Sequence, residues 1–294
     1  MKIQEKCLPC TVNQALKVAD MVGMTDKEEL LRKVFSYLSQ VDYKMTTTPE
    51  LIGEIFAIIK EVTKNEDPYR ETRDKYNTLF LDRLREFERE IDRSEVPFLA
   101  AVTYAIIGNI IDFNPIHEFL LSDVDSFFLK FKTQPLAIND SEKLRQELRK
   151  AQNVLYLGDN CGEICLDKIL LKKMKEINPA CGFYFATRGK AAVNDSIEAD
   201  AYFVGMDEYA TIISNGDGSL GTVLHRTNAE FRSVYDKADL IIAKGQANYE
   251  SLSEEKKNIY FLLMTKCGVI ASDIGVEEMK MICMKQHLAA EDAS

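Results

Sequence analysis

The stretch Val154-Leu155-Tyr156-Leu157-Gly158-Asp159-Asn160-Cys161-Gly162-Glu163 decides the fold. Four consecutive apolar residues with no helical spacing read as a strand buried on both faces, the pattern of a parallel sheet. Glycine and polar residues stop the run, and amphipathic spacing then resumes from Glu163 to Ile177, so a helix follows. The same unit recurs downstream. Phe183-Tyr184-Phe185-Ala186, Leu240-Ile241-Ile242-Ala243 and Tyr260-Phe261-Leu262-Leu263-Met264 are further short apolar runs separated by helical stretches. The expectation is an α/β domain over 141–294, a Rossmann-like, doubly wound, mostly parallel sheet.

Upstream the period changes to that of helices. Val12, Ala15, Leu16, Ala19 and Val22 share one helical face, and Gly23 follows as a stop. Thr25 and Glu28 form a capping-box pair ahead of Leu30, Leu31, Val34, Phe35 and Leu38. Thr48-Pro49-Glu50 reads as N-cap, first helical residue and acidic first turn, before Leu51, Ile52, Ile55, Ile58 and Ile59. Asp67-Pro68 interrupts, and Phe80, Leu84, Phe87 and Ile91 mark another amphipathic helix. Pro97 to Ile107 is almost wholly apolar, which predicts a central, buried helix. Nothing here reads as a strand, so 1–140 is expected to be a helical domain, joined to the sheet domain through Lys132 to Ser141.

Charge and composition remove whole classes of function. The 294 residues carry 37 Lys plus Arg against 47 Asp plus Glu, a formal net charge of −10. Such a chain has no general attraction for a phosphate backbone, so nucleic acid is not an expected partner. No apolar run approaches the roughly 20 residues that span a bilayer, and Met1 to Lys6 lacks a signal-peptide layout. A cytoplasmic protein without a membrane partner is expected, and its seven cysteines read as thiols or ligands. Neither the charge nor the patterning speaks to oligomeric state.

In an open parallel sheet, ligands bind beyond the carboxyl ends of the strands. Those ends are Gly158-Asp159-Asn160, Thr187-Arg188-Gly189, Lys244-Gly245 and Thr265-Lys266, with Asn194-Asp195 close behind the second. Carboxylates, an amide, a guanidinium and two ammonium groups at one edge suit a divalent cation together with an anion. Taken singly, Asp-Asn after a strand is most often a turn or cap, and a lysine at a strand end is most often solvated. Gly162 lets the next helix start tightly, with its amides and positive dipole end toward an anion. Ser214-Asn215-Gly216-Asp217-Gly218-Ser219-Leu220-Gly221-Thr222 is either a phosphate cradle or a surface turn. It has neither of the nucleotide-binding glycine spacings, so nucleotide-cofactor chemistry gains no support.

Gly158-Asp159-Asn160-Cys161-Gly162-Glu163 resembles the Asp-Asn-Ala-Gly-Glu signature of the metal-dependent damage-control phosphatases, domain of unknown function 89. Other stretches agree in order: Val193-Asn194-Asp195 with Glu198 and Asp200-Ala201, the loop at Ser214, Lys244-Gly245-Gln246-Ala247-Asn248-Tyr249-Glu250, and Leu262-Leu263-Met264-Thr265-Lys266-Cys267. In the helical half, Asp67-Pro68-Tyr69, Lys75, Asn77 and Gly108-Asn109-Ile110-Ile111-Asp112-Phe113 fit as well. Cys7-x-x-Cys10 resembles the prokaryotic and archaeal branch. The resemblance implies that Asp159, Asn160 and Asp195 ligate one divalent metal, Mn²⁺ or Mg²⁺ foremost, with Co²⁺ or Ni²⁺ tolerated. Two carboxylates and an amide oxygen are hard ligands suited to such ions.

The activity implied is hydrolysis of a small phosphorylated metabolite, a sugar phosphate or related compound. The metal polarises a phosphoryl oxygen, and attack comes from water or from Asp159. Lys266 and Lys244 neutralise the phosphoryl oxygens. By the same resemblance Asn248, Arg188, Ser214, Gly216 and Glu163 would form the substrate-binding set, with Glu163 also close behind the metal ligands. Two alternatives remain open at this point. One is a metal- or redox-responsive binding module built on Cys7 and Cys10, with Cys161 and Cys165 as further ligands. The other is a small-molecule transferase on the same scaffold.

Overall fold

The structure is a computed structural model, and it describes residues 1–109 and 121–286. The motif positions Ile110 to Phe113, and the scattered histidines His117 and His287, lie outside the described residues.

Six helices come first: α1 (Cys7–Met21), α2 (Glu28–Leu38), α3 (Thr48–Thr63), α4 (Arg70–Asp92), α5 (Pro97–Gly108) and α6 (Leu121–Phe131). Strands and helices then alternate as β1 (Ile138–Asn139), α7 (Ser141–Leu148), β2 (Asn153–Leu157), α8 (Glu163–Ile177), β3 (Gly182–Thr187), α9 (Glu198–Phe203) and β4 (Thr211–Ser214). The chain continues through α10 (Ala229–Lys237), β5 (Leu240–Lys244), α11 (Gly245–Leu252), β6 (Ile259–Met264), α12 (Gly268–Ile274) and β7 (Met281–Lys285). Mixed α/β architecture with a helical first half is what the periodicities predict. Among the described residues, no helix is long and apolar enough to cross a membrane.

The seven strands form one sheet in the order β1-β7-β6-β5-β2-β3-β4. All neighbours are parallel except β6 and β7. After β2 the chain winds outward through β3 and β4, then crosses back to place β5 and β6 on the other side. Loops leaving β2 and β5 therefore diverge, and a crevice opens between them at the carboxyl edge.

The period-two alternation of the strands divides the core. Val154, Tyr156, Phe185, Ile242 and Leu262 share one core with α4, α5, α6 and α8. Leu155, Leu157, Ile241, Ala243 and Phe261 face the other way, onto α10, α11 and α12. The helices of the first half also divide. α1, α2 and α3 enclose a small core of their own with Tyr69, whereas α5 is pressed onto α8 and the sheet. That position explains its unbroken apolar character, since Ala101, Val102, Ala105, Ile106 and Ile107 are all inaccessible to solvent.

Two helix starts differ from expectation. α2 begins after Lys27 with no side-chain cap, and the Glu28 amide bonds instead to Asp26 Oδ1 at 2.9 Å. Asp26 is nearer than Thr25 to the free amides and satisfies one of them first. α3 is capped by Thr47, one residue earlier than predicted, in a reciprocal box with Glu50.

Candidate functional site

The ends of β2 and β3 bring their polar residues together. Arg188, only 2% exposed, donates Nε to Asp195 Oδ2 at 2.6 Å and Nη2 to Asp159 Oδ1 at 3.3 Å. Two carboxylates far apart in sequence thus converge on one guanidinium. An isolated bridge between Asn160 and Asp195 joins the two loops, and Cys161 N–H donates to Asn194 O at 2.9 Å. Val193, two residues before Asp195, has φ of +48°, a left-handed conformation that a β-branched residue rarely adopts. That turn delivers Asp195 back toward the end of β2.

Behind the two carboxylates lies a net of amides and a third carboxylate, Glu163. Asn160 Nδ2 donates to Asp159 Oδ2 and to Glu163 Oε2, both at 2.9 Å. Asn109, at the end of α5, donates Nδ2 to the same two oxygens at 2.9 and 3.1 Å. Gly245 closes this corner with φ of +76°. A Cβ there would lie 2.0 Å from Asp159 Oδ2, so only glycine admits the carboxylate against the start of α11.

Lys244 is fully buried, and its ammonium donates to Ala105 O at 2.8 Å, to Asp167 Oδ1 at 2.6 Å and to Glu163 Oε1. All three of its N–H groups are spent. It is therefore not placed to meet a phosphoryl oxygen, contrary to the expectation, and serves as counter-ion to Glu163 and Asp167. Burial alone would push its pKa down, but Asp167 and Glu163 outweigh that and raise it. Burial lifts Asp167 to about 7, with Lys244 pulling it back.

Lys266 follows β6 on the same edge and is half-buried, its backbone N–H held by Gln246 Oε1. Among the described residues no carboxylate pairs with its ammonium. It lies close enough to pull down the pKa values of both Asp159 and Asp195. That pull does not prevail. Burial pushes the Asp159 carboxyl well above its ordinary range, and repulsion from Asp195 and Glu163 acts the same way. Burial raises Asp195 too, against Arg188. The site is short of positive charge.

Three expected substrate contacts are placed elsewhere. Asn248 is fully buried, accepts from Thr222 Oγ1 at 2.8 Å and donates to Lys244 O at 2.7 Å and Gly158 O at 3.4 Å. It ties three segments together and has no donor left for a ligand. The loop after β4 is a buttress rather than an open cradle. Its amides at Gly216, Asp217 and Ser219 bond to Ser214 Oγ, Asn215 Oδ1 and Asp217 Oδ2. Gly216 backs onto Gly189, where a Cβ would lie 2.3 Å from the Gly216 carbonyl carbon. Ser214 and Gly216 therefore support the Arg188 loop from behind.

The amides that lead into α8 are largely engaged within the protein. The N–H groups of Asn160 and Gly162 already donate to Glu163 Oε2 at 3.3 Å and Asn77 Oδ1 at 2.7 Å. Asn77 in turn belongs to a clamp from α4. Its Nδ2 and Arg73 Nε each reach Asp200 at 3.1 Å, while Arg73 also grips Asp67. Arg73 and Asp167 were not singled out from the sequence. Both lie one helical turn from residues that were, Asn77 and Glu163, and that spacing places each pair on one helix face.

Asp159, Asn160 and Asp195 suit a hard divalent cation on two grounds: they are oxygen donors, and their burial leaves negative charge uncompensated. With Nδ2 of Asn160 spent on carboxylates, its Oδ1 is the donor left for a cation. Among the described residues, no group of three or more His, Cys, Asp or Glu side chains could hold a metal, so a cation here would need the amide and water as ligands. The cysteine-based alternative finds no support. Cys7 and Cys10 lie in the first turn of α1, half-buried and exposed, while Cys161 and Cys165 are buried under α4.

Fold and site together define a doubly wound α/β protein whose chemistry gathers on acidic side chains at the carboxyl edge of its sheet. The chain belongs to the ARMT1-like damage-control phosphatase family, whose domain model matches residues 3–282. A damage-control phosphatase of Pyrococcus horikoshii is 32% identical over 290 residues, covering 97% of this chain and 98% of that one. Another, of Archaeoglobus fulgidus, is 34% identical over 290 residues, covering 96% and 98%. The crystal structure of a DUF89 family protein from Pyrococcus horikoshii superposes with a TM-score of 0.90 at 31% identity, covering 98% of this chain and all of that one. These relatives support a phosphatase role.

Proposed function

We propose that this protein is a metal-dependent phosphatase that hydrolyses small phosphomonoesters, sugar phosphates or related phosphometabolites. The observation that carries the reading is the convergence of Asp159 and Asp195 beside Lys266 at the crevice of the sheet. Asp159, Asn160 and Asp195 would hold the cation, Mn²⁺ or Mg²⁺ foremost, with Co²⁺ or Ni²⁺ as substitutes. When bound, it would polarise a phosphoryl oxygen and offset carboxylate charge that the single guanidinium of Arg188 only partly balances.

The chain's own groups divide the remaining work. Lys266, with no ion pair to break among the described residues, neutralises the oxygens of the transferring group as charge builds on them. Arg188 keeps the two carboxylates together. Glu163, locked by Lys244, orients the Asn160 amide so that its oxygen is left for the cation. Asp159 Oδ2 receives two amide N–H groups and lies against Gly245, which favours a ligand role for this carboxylate and attack by water.

The test is phosphate release from a panel of phosphomonoesters by chelator-stripped protein, with and without added Mn²⁺. Activity only after the metal is restored is expected. Full turnover in excess chelator would overturn the metal-dependent reading, and no release from any ester would overturn the choice of substrate class.

A further inference from the structure

A cleft of about 700 Å³ lies between α3 and the loops that follow β3 and β4, and Asp159, Asn160, Asp195 and Lys266 are not among its walls. Lys60 and Lys64 enter it from the end of α3, Lys190 from the loop between Arg188 and Asp195, and Arg226 from beyond the loop after β4. The carboxylates in the same walls do not match them. Glu54 pairs with Arg226 at 2.7 Å, and Glu61 pairs with Lys33 of α2 at 2.8 Å. That leaves Glu66 and Asp217 against three ammonium groups. Among the described residues neither Lys64 nor Lys190 forms an ion pair, and half-buried Lys60 donates only to Ala191 O. Burial lowers the pKa of Lys60 and Lys190 acts in the same direction, while Glu66 and Asp67 oppose them without prevailing. The end of a helix attracts cations of its own accord, which accounts for Lys60 and Lys64. It does not account for Lys190, which another element brings up to Lys60. The stem of Lys190 is packed on Gly218, where an added Cβ would lie 3.2 Å from Lys190 Cβ and 3.5 Å from Cδ.

We infer that this cleft is a second anion site, which takes a phosphate group, free or on a small metabolite, between Lys60 and Lys190. The inference does not rest on the phosphatase reading. An ammonium is a compact point charge with three donors, and one phosphate group accepts from two of them at once. A dianion there offsets two like charges that the fold brings together. The volume falls within the roughly 300–1,000 Å³ of small-molecule pockets and exceeds what phosphate alone fills, so the ester of a metabolite fits as well as the free ion. Lys60 also ties the cleft to the carboxylate cluster. Ala191, whose carbonyl it holds, leads into the turn in which Asp195 N–H donates to Ala192 O at 3.1 Å. A ligand on Lys60 thus sits against the loop that carries Asp195.

Calorimetry with inorganic phosphate and with glycerol phosphate tests this in the full-length Lys266→Ala protein, whose crevice lacks the ammonium assigned to a phosphoryl group. One anion per chain should bind, and more weakly as sodium chloride is added. Adding Lys190→Gln should weaken binding about tenfold, the scale for one hydrogen bond to a charged partner. Lys190 is exposed and forms no ion pair among the described residues, so this change leaves the fold intact. Adding Lys60→Gln should weaken binding further, and if that variant does not fold, Lys190→Gln carries the test. A wild-type crystal soaked in phosphate should show the ion within about 2.7–3.2 Å of Lys60 Nζ and Lys190 Nζ. Tighter binding of glycerol phosphate would name an organic phosphate as the ligand, and tighter binding of phosphate the free ion; either order supports the site. Phosphate affinity unchanged by Lys190→Gln would overturn it. So would an ion found only beside Asp159 and Lys266, or one seen in the crystal but not by calorimetry, which would mean binding at crystal concentration only. None of these readouts uses turnover, so a failure of the phosphatase reading leaves them unchanged.

Discussion

Two lysines end neighbouring strands of the sheet, and burial gives them opposite work. Lys244 sits between Glu163 and Asp167, fully buried. Removing its ammonium leaves two carboxylates facing each other in the interior. Lys244→Met should therefore cost about 3–5 kcal/mol of stability, the scale for breaking a buried ion pair from one side. That is a large part of a total stability of about 5–15 kcal/mol. Lys266 is half-buried and unpaired among the described residues, so Lys266→Ala should leave the urea midpoint near wild type. It should lower kcat by about a hundred- to a thousandfold, the effect of losing one donor that acts in the transition state. Paired urea melts and turnover measurements on the two variants check both expectations. A folded, slow Lys244→Met and an unfolded Lys266→Ala would reverse the assignment. The sequence does not separate these lysines, because each follows an apolar run in the same way. What separates them is Asp167, one turn along α8 from Glu163, and the carbonyl of Ala105 from a helix over a hundred residues upstream.

At the scale of elements, legibility follows the length and the composition of the apolar run. β2, β3, β5 and β6 are continuous and rich in β-branched, aromatic and leucine residues. In β4, Thr211-Ile212-Ile213-Ser214 has only two apolar residues, and in β7 Met281-Ile282-Cys283-Met284, though continuous, is mostly Met and Cys, which do not mark a strand. Both owe their place to the sheet that receives them, β4 at one edge and β7 antiparallel to β6. The motif Lys244 to Glu250 was legible as a site segment, but its far end is structural. It forms α11, which packs against α3 and so joins the small helical core to the sheet. Glu250 on that helix is half-buried, and the desolvation of its carboxyl raises its pKa from 4.5 to about 7. The folded state thus binds its proton more tightly than the unfolded chain does. The stability this provides is complete below about pH 4.5 and is lost as pH rises through 7, about 3 kcal/mol in all. Glu250→Gln should flatten that decline. Chemical denaturation of both proteins between pH 5 and 8 measures it, and identical slopes would place Glu250 in contact with solvent.

Across the whole molecule, the site is assembled from both halves of the chain under tension between charge and burial. α4 clamps Asp200 and the Gly162 amide through Arg73 and Asn77, and α5 contributes Asn109. The sheet supplies Asp159, Arg188 with Asp195, and Lys266 beyond the ends of three strands, β2, β3 and β6. Asp159 and Asp195 are both pushed upward by burial, so the protein without a cation carries an electrostatic cost at this edge of the sheet. An ion that binds the folded chain and not the unfolded one relieves that cost and shifts the folding equilibrium by mass action. At a free Mn²⁺ concentration about 100 times the dissociation constant the gain is about 2.7 kcal/mol. For a chain of this size that corresponds to a rise in melting temperature of roughly 4 °C. Excess chelator should reverse the rise. Asp195→Ala should abolish it, and with it phosphate release, because the substitution removes a ligand without removing any core packing. The Cys7→Ser, Cys10→Ser double variant should keep the full shift, since both thiols lie on α1, outside the carboxylate cluster. Melting curves of the three proteins, each with Mn²⁺ and with chelator, make the comparison independently of turnover. A shift that survives in Asp195→Ala would move the cation away from the edge of β2 and β3, and a shift lost in the cysteine variant would move it to α1.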